Sequence, residues 1–394
     1  MKNYIKTISI AIFLILANLL NAEYFSLNYT NDDKYQLTVR GNVKVYINGK
    51  YKGLNIREIK GILNVKNKDK TSSFVSGKVY YYRKTIRGKS VIGFEIDRFE
   101  DCSFKLSNNG LITSNVNSTF PPITCIPYFP ANELKSGDIY KSNGKANISL
   151  YNSNDIDSIN FTAVTKYSGK KEYKGNDLDI FEISYRYNDI AQSYQIRTAR
   201  GTHNLELYYN NLSGKPIFIR DTFIEEFELN DGSKVKQDGF YLYFYQPIIP
   251  MDKKSVIEKI KYTLKDDEIL KDLSFTEKEE GISLTINNLK FKANSSELLS
   301  SENSKLKILL ETLKKIEERS FMIIGHTALA GTEDERMKLS LERAKTIAEY
   351  LSNNGIDKDK IFYAGKGANE PVAPNDTEEN MQKNRRVEII ILED

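Results

Sequence analysis

The hydrophobic period of this chain changes once, and that change limits what it can fold into. From residue 23 to about residue 246, apolar side chains recur at every second position, the period of a strand with one buried face. Tyr35, Leu37 and Val39 alternate with polar residues, and Val43, Val45 and Ile47 run into Asn48-Gly49, a strong two-residue hairpin signal. Phe181, Ile183, Tyr185 and Tyr187 alternate in the same way, and residues 205–209 and 217–219 flank a Ser213-Gly214 turn. Phe240, Leu242 and Phe244 share one strand face, with Tyr241, Tyr243 and Tyr245 on the other. Short strands with frequent turns predict an all-β region of β-sandwich type, in one or two lobes, over residues 23–250. Pro121, Pro122, Pro127 and Pro130 remove ladder donors and mark a connection between lobes, with a sub-boundary near residues 120–135. The 25 Tyr and 19 Phe suit the girdles of a membrane barrel. Lys44, Arg83 and Lys84 within the strands, and the proline cluster, weigh against one.

Residues 251–280 are rich in Lys, Asp and Glu, with Val256, Ile257, Ile260 and Leu264 at helical spacing, and read as a charged linker or helix. Past residue 280 strands and helices alternate. Leu306, Leu309, Leu310, Leu313 and Ile316 mark one helical face, and Met337, Leu341, Ala344, Ile347, Ala348 and Leu351 a second. With a first strand through Leu284 and Ile286 to Phe291, strands at residues 321–325, 361–365 and 387–392 complete a β-α-β-α-β-β order, which predicts a two-layer α/β sandwich over residues 281–394. The core signals close on themselves there, so residues 276–394 are expected to fold alone. A multidomain chain suits the length of 394 residues.

The N-terminus bears on compartment. Lys2 and Lys6 precede an apolar stretch at residues 8–20, and Ala22 offers a small residue for cleavage. That is signal-peptide anatomy over residues 1–22, and the stretch is too short to span a membrane core about 30 Å thick. The protein is expected to be exported, to the periplasm or the outer membrane. In an oxidising space Cys102 and Cys125 are expected to form a disulfide contributing about 3 kcal/mol; two buried free thiols are the alternative. Lys+Arg 57 against Asp+Glu 53, with no long like-charge block, gives no sign of nucleic-acid binding. Two His and two Cys leave too few ligands for a dedicated zinc site. No Gly-rich phosphate loop or nucleophile elbow is present, so no metal, no cofactor and no enzymatic activity is expected.

A set of short motifs in the last third is more specific. Phe291 with Asn294-Ser295 and Leu298, Gly325-His326-Thr327 and Gly331 come first. Leu339-Ser340-x-x-Arg343-Ala344, Tyr350-Leu351, Gly355-Ile356, Gly365-x-Gly367, Pro371-Val372 and Asn384-Arg385-Arg386-Val387-Glu388 follow in order. Together these resemble the OmpA-like, or peptidoglycan-associated, C-terminal domain over residues 281–394. The resemblance implies a domain that grips the peptidoglycan stem peptide without covalent chemistry. An Asp after the Gly-His-Thr receives the amine of the diamino acid, and an Arg on the second helix pairs with its carboxylate. Thr327, Arg343, Asn384, Arg385 and Arg386 stand at the matching binding positions. The acceptor is missing, because Ala328 holds the Asp position; Lys292 and Arg336 add positive charge. Glu333 and Asp334, in the same loop, are the substitute acceptors the sequence offers.

The resemblance therefore implies a non-enzymatic envelope protein that contacts peptidoglycan and links the β-rich part to the wall. The alternative keeps the fold, loses diamino-acid recognition, and binds a protein or an anionic glycan. A further envelope protein is the expected partner of the β-rich part. His203 has no recognisable Ser or Asp partner set in the sequence. Glu225 and Glu226, adjacent on a strand, point to opposite faces and cannot flank one bond.

Overall fold

The structure is a computed structural model. It describes residues 22–66, 69–85, 94–113, 120–150, 156–191, 195–248, 250–264, 268–278, 280–287, 289–292, 294–316 and 319–393. The signal peptide expected at residues 1–22 lies, but for residue 22, outside the described residues. The chain divides into two units: residues 1–81 with 99–247, and residues 82–98 with 248–394. No helix of the described residues is long and apolar enough to cross a membrane.

The first unit carries β1 (Lys34–Ile47), β2 (Lys50–Lys66), β3 (Ser72–Thr85), β4 (Phe94–Ser107) and a two-residue β5 (Ile112–Thr113). It continues with β6 (Ile139–Ser149), β7 (Ile156–Tyr173), β8 (Asn176–Ile190), β9 (Ile196–Asn210), β10 (Lys215–Leu229) and β11 (Lys234–Pro247). The pairs β1–β2, β6–β7, β7–β8, β8–β9, β9–β10 and β10–β11 are antiparallel, and β1 also pairs antiparallel with β11, from Tyr35↔Pro247 to Ile47↔Val235. The all-β unit expected from sequence follows one hydrogen-bonded strand order, β4-β3-β2-β1-β11-β10-β9-β8-β7-β6, in a single unit. Apart from β5 the strands run 11 to 18 residues, and each buries its alternate side chains on one shared face.

That face is legible along β8, where Phe181, Ile183, Tyr185 and Tyr187 are buried and Glu182, Ser184 and Arg186 are exposed. On β11 the tyrosines Tyr241, Tyr243 and Tyr245 pack with the core. Phe244 packs against Phe218 on the other face, ring centroids 5.2 Å apart. The proline-rich segment does not separate two lobes. Its Phe129 packs against Phe25, Phe181 and Tyr209 of the same core, and both sides of the expected sub-boundary belong to one unit. Isolated bridges Glu23↔Leu134 and Ile123↔Ala146 pin it down. Full burial of a ring such as Phe129 contributes roughly 1.5–3 kcal/mol, so the segment is a structural cover.

Cys102 and Cys125 are free thiols, which corrects the expected disulfide. Cys125 lies against Gly144 and receives a hydrogen bond from Ser142 Oγ at 3.8 Å. Cys102 is buried on β4 beside the backbone of Gly77. Burial pushes the Cys102 thiol up to about 12 and that of Cys125 to about 11, so both stay protonated and inert.

The second unit contains α1 (Lys253–Thr263), β12 (Leu273–Lys278), β13 (Gly281–Ile286), α2 (Asn303–Lys314) and β14 (Phe321–Gly325). It ends with α3 (Glu333–Asn353), β15 (Ile361–Gly365), α4 (Glu378–Asn384) and β16 (Val387–Leu392). The sheet order is β12-β13-β16-β14-β15, and the end of β4 joins it through the parallel pairs Phe94↔Phe362 and Glu95↔Tyr363. Every residue of β14 and β16 is buried. The charged stretch at 251–280 is part of this unit rather than a linker. Met251, Ile260, Leu264 and Leu273 enter the same core as Leu309, Ile347 and Ile389, and β12 pairs with β13. Tyr82 and Phe94 also pack against Phe362, with ring centroids at 4.8 and 5.7 Å. Residues 276–394 alone would lack these contacts, which weighs against their folding by themselves.

Candidate functional site

The second unit carries an open cleft of about 880 Å³. Its walls are the loop after β13 (Leu289, Phe291, Lys292, Asn294), the loop after β14 (Thr327, Ala328, Gly331), the first half of α3 and the end of α4.

The loop after β14 is fixed at both ends. Thr327 N–H donates to Gly367 O at 2.8 Å, and Leu329 N–H to Asn375 Oδ1 at 3.0 Å. Gly331 takes φ +77, and a Cβ there would lie 2.8 Å from Glu335 Oε2. Thr332 then caps α3: its Oγ1 accepts from Glu335 N–H at 3.3 Å while Glu335 Oε2 accepts from Thr332 N–H at 2.9 Å. Glu333 and Asp334 complete an acidic first turn, favourable at a helix N-terminus, but they are exposed and do not line the cleft. The two substitute acceptors expected from sequence are therefore helix-terminus residues.

The Leu339-Ser340-x-x-Arg343 motif has a packing cause. Ser340 is fully buried where α3 crosses β14 and β15, and a Cβ at Gly325 would lie 2.1 Å from Ser340 O. Ser340 Oγ donates to Met337 O at 2.8 Å and accepts from Gly367 N–H at 2.9 Å. Three residues on, Arg343 enters the cleft floor with only 8% exposure. Its Nε donates to Ser295 O at 3.1 Å, and its guanidinium carbon sits 4.8 Å above the Phe291 ring. Among the described residues no carboxylate pairs with it. Burial, then the neighbouring Arg385, pulls its pKa below the usual arginine range. Thr327 Oγ1, also buried in the cleft wall, has no hydrogen-bond partner among the described residues.

The C-terminal motif divides in function. Arg385 lines the cleft and pairs with Glu378. Asn384 does not line the cleft. It is fully buried, its Oδ1 accepts from Val372 and Ala373 N–H, and its Nδ2 donates to Ala373 O and Asn375 Oδ1. It holds the segment whose Asn375 in turn fixes Leu329. Arg386 is likewise not a cleft residue; it is buried and bonded to Glu388 Oε1 through Nε at 3.0 Å and Nη2 at 2.6 Å. Glu388 also accepts from Lys278 Nζ at 2.6 Å and Ser283 Oγ at 3.0 Å. Burial alone would raise its pKa, but His326 and Lys278 hold it far below the carboxylate range.

Sequence reasoning missed the carboxylates that do line the cleft, Glu335 and Glu342, along with Lys338 and Gln382. Helical spacing held the signal: residues 335, 338, 339 and 342 fall on one face of α3, next to the row of 336 and 343.

The first unit holds a second buried ionic cluster, and it corrects the expectation that His203 lacks an acidic partner. His203 Nδ1 lies 2.9 Å from Asp221 Oδ2, across the β9–β10 pairing, and its Nε2 lies 3.6 Å from Glu225 Oε1. Tyr187 donates to Glu225 Oε1 at 2.7 Å. The imidazole is stacked between Tyr185 and Phe223, at 4.4 and 5.4 Å. Burial pushes its pKa down, but Asp221 and Glu225 outweigh that and hold it at about 9. Among the described residues no hydroxyl or thiol is bonded to His203. The imidazolium therefore faces two carboxylates, one of which also accepts from Tyr187.

Comparison with known proteins bears on the second unit. A family model described as "OmpA family" matches residues 290–385. Outer membrane protein A of Bordetella avium is 42% identical over 79 residues, 20% of this chain and 41% of that protein. The probable lipoprotein YiaD of Escherichia coli K12 is 33% identical over 120 residues, 30% of this chain and 55% of that one. The peptidoglycan-binding protein ArfA of Mycobacterium tuberculosis is 35% identical over 101 residues, 26% of this chain and 31% of that one. The chain thus spans between 31% and 55% of the length of these curated relatives. Among solved structures, the cell wall anchor of the T6SS from Pseudomonas aeruginosa is 24% identical, covering 34% of this chain and 97% of that one, with a TM-score of 0.31.

Proposed function

Since residues 290–385 are an OmpA family domain, we propose that this chain is a non-enzymatic envelope protein whose cleft holds the stem peptide of peptidoglycan. The β-rich unit then carries whatever the wall contact is to secure. One observation supports this above the others: the buried Arg343 guanidinium has no carboxylate partner among the described residues. A planar donor fork in that state suits a ligand carboxylate bound through two hydrogen bonds. Thr327 Oγ1 and Arg385 supply further donors beside it. Relatives named for peptidoglycan binding point the same way.

The test is co-sedimentation of the full mature chain with insoluble purified peptidoglycan. Arg343→Ala is expected to weaken binding about ten- to a hundredfold, the weight of a charge-assisted hydrogen bond of roughly 1.5–3 kcal/mol. A wild-type chain that stays in the supernatant would overturn the reading.

A second reading follows from the methyl group of Ala328, buried in the cleft wall where an acceptor would stand. In it the cleft serves an anionic glycan or an acidic protein. Binding that collapses with salt and ignores the stem peptide would favour it.

A further inference from the structure

Five cations line the cleft with Arg343: Lys290, Lys292, Arg336, Lys338 and Arg385. Some are engaged. Lys292 pairs with Glu297, Arg385 with Glu378, and Arg336 donates to Gly331 O. Two carboxylates line the same cleft, and their states differ. Glu335 is committed to the N-terminus of α3 through the Thr332 N–H, and that bond holds its pKa below the usual carboxylate range. Glu342 is half-buried, and its carboxylate has no hydrogen bond or ion pair among the described residues. Lys338 stands one helical turn before it without pairing, and a Lys preceding a Glu by four residues is the weaker order for such a pair. Glu342 directly precedes Arg343 on α3, about 100° around the helix, so the cleft presents an unpaired carboxylate and an unpaired guanidinium side by side.

We propose that Glu342 receives the ammonium group of the ligand, so that the cleft selects a zwitterionic head bearing an amine and a carboxylate rather than a simple anion. The proposal rests on the wall-contact reading and assigns to α3 the acceptor that the loop lacks at Ala328. The ligand's carboxylate lies on Arg343 and its amine on Glu342, so each of the two unpaired charges gains a partner of opposite sign.

The experiment crosses a protein variant with a ligand modification. Full-length wild type and Glu342→Gln are co-sedimented with insoluble peptidoglycan whose free amines are either intact or acetylated. Expected is a loss of about tenfold for Glu342→Gln on the intact wall and none on the acetylated wall, with acetylation weakening wild type by the same factor. Glu349→Gln, on α3 but not lining the cleft, should bind the intact wall as wild type does, and an unchanged thermal midpoint confirms that Glu342→Gln is folded. Wild-type binding by Glu342→Gln, or losses from the variant and from acetylation that add independently, would overturn the proposal. A wild-type chain that sediments with neither wall overturns the wall-contact reading itself. Titration with meso-2,6-diaminopimelate and its N-acetylated form then decides the present one: binding of the free amine form that Glu342→Gln weakens supports it, and no binding by wild type overturns it.

Discussion

Each unit buries a cation on the strength of an aromatic neighbour, and the two are finished differently. His203 is stacked between Tyr185 and Phe223 and faces two carboxylates on β10. Arg343 rests on Phe291 and faces a cleft. Both charges carry a desolvation cost. In the first unit the protein supplies the counter-charge itself, and the cluster serves folding. In the second no carboxylate among the described residues supplies the counter-charge, and the proposed wall contact rests on that difference.

The largest effect expected from this contrast is on folding. Asp221→Ala leaves a buried imidazolium without its main partner and should destabilise the first unit by about 3–5 kcal/mol, read from its urea midpoint, with wall binding by the folded protein unchanged. Arg343→Ala should do the reverse: a binding loss of ten- to a hundredfold, with little change in that midpoint. If both variants unfold, the contrast fails. A pH series sharpens it further. The folded-state pKa of His203, about 9, lies above its ordinary value of 6.5, so its stabilisation is complete below about pH 6.5 and is lost as pH rises through about 9. The first unit should therefore weaken between pH 7 and 9.5, and His203→Phe should flatten that slope. The smallest expected effect concerns the thiols: two should react after unfolding without reductant, and neither at an appreciable rate in the native protein.

Much of the architecture was legible in local pattern. Strand alternation around Phe181–Tyr187 identified buried positions, and the Gly-His-Thr and Leu-Ser-x-x-Arg motifs located the cleft. What stayed hidden depended on partners remote in sequence. Asn384 and Arg386 belong to the binding motif by spacing, but their bonds to the 372–375 segment and to Glu388 make them structural. The charge of residues 251–280 suggested a linker because only a few apolar side chains, Met251, Ile260, Leu264 and Leu273, enter the core. The Asp221 partner of His203 could not be read from a sequence in which they sit on different strands, since pairing register alone brings them together. Cys102 and Cys125 were paired by count, and count carries no geometry.

The parallel pairing of Phe94 with Phe362 has a consequence for how the chain comes into being. Translation delivers position 94 long before position 362, so the second unit cannot be completed in step with synthesis. Its first strand end waits, with Tyr82 and Phe94 uncovered, until nearly the whole protein has emerged. Non-local pairings of this kind slow folding, because chain entropy must be lost before the contact is gained. The last steps of maturation should thus bring together the two ends of the chain's history, the hairpin made early and the sheet made late.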